Sequence, residues 1–106
     1  MTTTVANTEW EGEFSKTDGT LMSVFRVKFN SDGSAHFKVR RHQVGEWGDW
    51  VTIWTWKQQD DFIQFGALGQ DPKNSESYRG TIERNRITGR GINWGDSRAF
   101  WAERIS

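Results

Sequence analysis

Apolar and polar residues alternate with a period of two along most of this chain, in short runs closed by Gly, Asp and Asn. Nowhere does a helical i, i+3, i+4 stripe last beyond two turns. Such a pattern folds as strands joined by turns. The first expected strand, about Thr8 to Ser15, carries Trp10, Gly12 and Phe14 on one face and Glu9, Glu11 and Glu13 on the other. After Lys16-Thr17-Asp18-Gly19, a second strand over about Leu21 to Asn30 puts Phe25, Val27 and Phe29 on one face. Asn30-Ser31-Asp32-Gly33 is tight-turn chemistry, and the third strand that follows it, about Ser34 to Arg41, alternates Ala35, Phe37 and Val39 with His36, Lys38 and Arg40.

The fourth expected strand, about Trp50 to Gln58, is apolar on both faces, with Trp50, Trp54 and Trp56 on one and Val51 and Ile53 on the other. That pattern fits a central strand or a subunit contact, so a homodimer is one expected assembly. A short fifth strand, Phe62 to Gly66, precedes the polar stretch Ala67 to Ser77, which holds the only proline, Pro72. The sixth (about Tyr78 to Arg84) and seventh (about Ile87 to Asn93) pair across Asn85, and the eighth runs from about Arg98 to Ile105.

Eight short strands with short connections predict an all-β fold, a single up-and-down antiparallel barrel over residues 8–106 behind a flexible segment, 1–7. Closure removes the sticky edges that a flat sheet would expose. The meander order sends the tight turns to one end. The other end receives His42 to Asp49, Ala67 to Ser77 and Asn93-Trp94-Gly95-Asp96, and is expected to be an open mouth.

With only 34% hydrophobic residues, the core must come from few but large groups, and seven Trp, seven Phe and one Tyr supply them. There is no cysteine and there are only two histidines, His36 and His42, so thiolate chemistry is excluded and neither a metal nor a cofactor is expected. Fourteen basic residues balance fourteen acidic ones, which removes the electrostatic footprint of a nucleic-acid binder. The late basic residues Arg79, Arg84, Arg86, Arg90 and Arg98 are offset in the sequence by Glu76, Glu83, Asp96 and Glu103. Met1 to Asn7 lacks the basic and apolar regions of a secretory signal, and no apolar run reaches membrane-spanning length. A cytoplasmic location and no membrane partner are the expectation.

In strand count, meander order and two matched positions the chain resembles the calycin group of barrels: lipocalins, fatty-acid-binding proteins and avidins. Those barrels pack a Trp early in the first strand against a basic residue late in the last, closing the bottom, and Trp10 and Arg104 occupy those places here. Gly12 follows Trp10 where the lipocalin pattern has a glycine before the Trp, and no biotin-site residues of the avidins can be mapped. The resemblance implies a lipocalin-like, ligand-holding barrel with structural closure by Trp10 and Arg104.

The tripeptide Trp-Gly-Asp occurs twice, at Trp47-Gly48-Asp49 and Trp94-Gly95-Asp96, each entering a strand that returns from the expected mouth. Two rim indoles could hold a planar ligand, although Gly-Asp is also ordinary turn chemistry. Trp54, Tyr78, Phe25 and Phe37 could line an aromatic pocket, or simply fill a small barrel. The leading expectation is therefore a non-catalytic barrel that holds a small apolar or aromatic molecule at its open end, with Trp47, Trp94, Trp54, Tyr78, Phe25 and Phe37 as contacts. One alternative is a protein-interaction module using the Trp-rich rim. The other is a cofactor-independent cyclase or isomerase with His42, Asp49 and Asp96 moving protons at the mouth.

Overall fold

The structure, a computed structural model, describes residues 4–41, 45–71 and 73–106. Eight strands follow in chain order: β1 (Thr8–Lys16), β2 (Leu21–Phe29), β3 (Ser34–Arg41), β4 (Val51–Gln59), β5 (Phe62–Gly66), β6 (Glu76–Glu83), β7 (Arg86–Asn93) and β8 (Asp96–Arg104). Each pairs antiparallel with the next, and β8 returns to β1, so the sheet closes into the up-and-down barrel that the patterning predicts. Among the described residues no helix is long and apolar enough to cross a membrane.

Alternation does the sorting. Trp10 and Phe14 of β1, Phe25, Val27 and Phe29 of β2, and Ala35 and Phe37 of β3 all point inward and are buried. Across the interior the rings pack on one another: Phe25 lies 5.5 Å from Phe37, Phe65 5.3 Å from Tyr78, and Phe100 stands edge-on to Tyr78 at 5.5 Å. A barrel of eight strands is just wide enough to be filled by side chains, and this one is filled by rings.

Strand β4 departs from plain alternation. Ala35 pairs with Trp54 and Phe37 with Val51, so Thr52 and Ile53 together stand opposite His36, which is a β-bulge. The extra residue reverses the facing of everything before it. Val51 comes to the inner side with Phe37, while Trp50, expected on the face of Trp54 and Trp56, goes to the outer wall. Ile53 also faces outward, 86% exposed.

The tight-turn end is plugged. Trp10 is buried there with its indole Nε1 donating to Thr8 Oγ1 at 2.7 Å, and Trp56 donates to the Asn30 carbonyl at 2.8 Å beside the Phe29 ring. Val5, in the segment ahead of the first expected strand, is buried in the same cluster, its amide donating to Gln58 Oε1 at 3.0 Å. Trp10 and Arg104 are register partners across β1 and β8, but Arg104 is exposed and its Nε donates to the Ser106 carbonyl at 3.2 Å. The cation–ring contacts among the described residues involve other pairs.

Candidate functional site

At the open end the β3–β4, β5–β6 and β7–β8 connections converge. The last is a two-residue turn in which Trp94 (φ 53°) and Gly95 (φ 88°) both adopt left-handed backbone, the geometry that matches the twist of a hairpin. The Trp94 amide donates to the Ser75 carbonyl at 3.0 Å, tying this turn to the β5–β6 connection. Between them opens a cavity of about 320 Å³, with Phe37, Val51 and Trp54 below and Asp49, Glu76 and Trp94 around it.

Its floor is rigid because it is the top of the packed core. Trp54 stacks on Phe37 at 4.3 Å with an interplanar angle of 27°, and Tyr78 lies 6.1 Å from Phe37. Phe25 lies one layer deeper, beneath Phe37, and does not line the cavity. The wall carries a polar pair that the period-two reading did not single out. The Tyr78 hydroxyl donates to Glu76 Oε2 at 2.8 Å. Burial pushes the Glu76 carboxyl above the usual glutamate range, against the opposing pull of that hydrogen bond and of the Arg98 charge. Burial likewise holds the Tyr78 hydroxyl well above the usual phenol range, with the Glu76 charge acting in the same direction, so Tyr78 is a neutral donor.

Arg98 is a second charged residue turned inward at this end among the described residues. It is 9% exposed, it reaches Asp96 Oδ2 at 3.7 Å and the Ser97 carbonyl at 3.2 Å, and its Nε has no hydrogen-bond partner. A signal for both residues was present: Glu76 shares the parity of Tyr78, and Arg98 that of Phe100, so each strand that puts the ring inside also puts the charge inside.

The structure divides the expected mouth residues. Trp94, Trp54, Phe37 and Asp49 come together at the cavity, with Tyr78 behind Glu76. Trp47 does not join them. It lies on the outer wall over β2 and β3, with the guanidinium groups of Arg26 and Arg40 at 4.8 and 5.1 Å and the Lys38 ammonium at 5.2 Å from its ring. Trp50 lies beside it, contacted by Lys28 at 5.0 Å and Lys38 at 4.4 Å. Two indoles thus cover four cations, and the Gly48 amide donates to the Val39 carbonyl at 2.9 Å between them. The physical reason is that a flat electron-rich ring finds a better surface on a row of cations than in a mouth already floored by rings.

Of the three residues considered for proton transfer, Asp49 borders the cavity, Asp96 pairs with Arg98, and His42 lies outside the described residues. No cluster of His, Asp or Glu suited to a metal occurs among the described residues. Comparison of the chain with models of known protein families, with curated proteins and with solved structures finds no match.

Proposed function

We propose that this chain is a non-catalytic small-molecule binding barrel of calycin type, holding a small, flat, apolar or aromatic molecule at its mouth. The ligand lies on the Trp54–Phe37 stack under Trp94, and a polar edge of it meets Glu76 or Asp49. The observation that carries this reading is Trp94. An indole 64% exposed at a left-handed position, where Asn or Gly would serve the turn better, presents a flat apolar face at the edge of the cavity. The cavity volume, about 320 Å³, is at the small end for ligand sites, and the filled interior beneath it limits the ligand to one or two rings.

The test is a fragment screen by NMR with the Trp indole N–H signals as reporters. Expected are saturable shifts at Trp94 and Trp54, and affinity at least tenfold weaker in Trp94→Ala. Equal affinity in that variant, or shifts that map away from the mouth, sinks the reading.

Glu76 favours a second reading, proton transfer at the same mouth, since a partly buried carboxylate whose pKa burial raises is a stronger base than an exposed one. Its check is turnover of any substrate found for the barrel, which Glu76→Gln abolishes if Glu76 is the base and leaves intact if the barrel only binds.

A further inference from the structure

Several charges on the outer wall find opposite partners across the strands. Glu9 faces Lys28 with 3.7 Å between the charged atoms, Glu11 faces Arg26 at 2.6 Å, and Arg86 faces Glu103 at 2.7 Å. Like charges face each other at Glu11 and Glu103, at Arg26 and Lys38 and at Lys16 and Arg98, and in each of these at least one member has an ion-pair partner elsewhere. Arg79 of β6 stands directly opposite Arg90 of β7 with no such relief on either side. Like charges directly opposite on a sheet are destabilising, so their retention calls for a compensating role.

The surroundings supply no acid. The row through the pair reads Gln64, Arg79, Arg90, Ala99 across β5 to β8. The neighbouring row toward the closed end reads Phe62, Thr81, Thr88, Trp101, and the row toward the mouth reads Gly66, Ser77, Ile92, Ser97. Neither guanidinium takes part in an ion pair or a hydrogen bond among the described residues. Over this lattice lies a groove of about 440 Å³, walled by the two arginines, with the hydroxyls of Thr81, Thr88, Ser77 and Ser97 around it and the half-exposed Phe62 ring at one side. Arginine forks and hydroxyls in one groove are the donor set for a tetrahedral oxyanion.

We propose that this groove is a second binding site, independent of the mouth, for a phosphate or sulfate group carried by a small molecule with an aromatic or apolar body. The oxyanion sits between Arg79 and Arg90, and the body runs along Phe62 and Thr81 toward Trp101. The site fits one such group and not a nucleic-acid track. It is two cations wide, and the next row toward the closed end holds Glu83 and Glu103 on either side of an already paired Arg86.

The experiment titrates the full chain with phenyl phosphate, phenyl sulfate, inorganic phosphate and a short oligothymidylate, following backbone amide shifts of β6 and β7. Saturable binding of phenyl phosphate or phenyl sulfate is expected, with the tighter of the two identifying the oxyanion and inorganic phosphate weaker than both. Affinity should fall at least tenfold in Arg79→Ala and in Arg90→Ala and stay unchanged in Trp94→Ala. Arg79→Lys should also weaken it, because a point charge cannot replace a fork. Unsaturated shifts at millimolar concentration, or unchanged affinity in the Arg79→Ala/Arg90→Ala double variant, overturn the proposal. So does an oligothymidylate that binds more tightly than either small ester. Both arginines are exposed, so the variants fold, and circular dichroism verifies it.

Discussion

The Tyr78 ring lies directly against the backbone of Gly91: a Cβ at position 91 would stand 2.1 Å from Tyr78 Cδ1 and 2.5 Å from Cε1. The two are register partners on β6 and β7, and the missing side chain is what lets the ring lie flat inside the barrel and reach Glu76. Gly91→Ala should therefore displace the ring, break the Tyr78–Glu76 hydrogen bond and cost about 1–3 kcal/mol, the range of overpacked cores. Urea denaturation measures the loss. Gly19→Ala is the control: nothing lies within 4 Å of a Cβ there, and only the left-handed backbone (φ 91°) opposes it, so about 1 kcal/mol is expected.

Glu76 gives the barrel a pH dependence of definite sign. Its folded pKa is raised by burial, so the folded state holds the proton more tightly than the unfolded chain, whose glutamates titrate near about 4.3. The stability this contributes is fully present below the unfolded value and is lost as pH rises through the raised folded value. Glu76→Gln keeps an acceptor for Tyr78 and removes the titration. The variant should gain on the parent as pH rises from acid toward neutral, and thermal melts across that range check it. Parallel curves for the two proteins would show that Glu76 carries its ordinary pKa.

Asp32 works the other way at the acid limb. It accepts from the Ser34 hydroxyl at 2.6 Å and the Ser34 amide at 2.9 Å, and these bonds hold its carboxyl below the usual range. A lowered folded pKa contributes stability that is present above the unfolded value and lost as pH falls through the folded one. Asp32→Ala should therefore cost stability at neutral pH and have no further effect once the carboxyl is protonated. Acid titration followed by tryptophan fluorescence distinguishes the two regimes.

Much of this architecture is legible in the chain, for a reason visible in its first three strands. Trp10, Phe14, Phe25, Phe29 and Phe37 keep strict period two, and Asp-Gly turns fix the register between them, so local pattern and global fold agree. The misreadings share one cause, dependence on a distant strand. The bulge at Thr52 and Ile53 lies in a stretch of Trp, Val, Thr and Ile with no glycine or other turn residue to mark it, and Trp50 changes face as a result. Trp47 looked like a rim residue because its cation partners come from β2 and β3, which the turn motif Trp-Gly-Asp does not reveal. Glu76 and Arg98 read as ordinary solvent charges until Tyr78 and Phe100 fix the parity of their strands.

The two sets of tryptophans should separate by experiment. Trp54→Ala removes a buried indole stacked on Phe37 and should cost about 3–5 kcal/mol, the range for large aromatic deletions. Trp47 lies half-exposed on cations that remain solvated without it, and each exposed cation–ring contact contributes only about 0.5–1 kcal/mol. Trp47→Ala should thus fold nearly as well as the parent and bind mouth ligands with equal affinity. Loss of mouth binding in that variant would place the outer strap and the mouth in one site.

Arg79 and Arg90 offer a test of whether the chain gives up stability at a functional position. Replacing a like-charged cross-strand pair with an opposite one should stabilise by about 0.2–1 kcal/mol per pair, and Arg86, four residues from Arg90 on β7, already makes such a pair with Glu103. Arg79→Glu is therefore expected to raise the melting temperature while abolishing oxyanion binding in the groove. Because the gain is electrostatic and exposed, it should shrink as ionic strength rises. A lower melting temperature at low salt would mean that the Arg79 stem packs on Phe62 or Gln64 strongly enough to outweigh the charge, and the like-charged pair would then have a structural explanation.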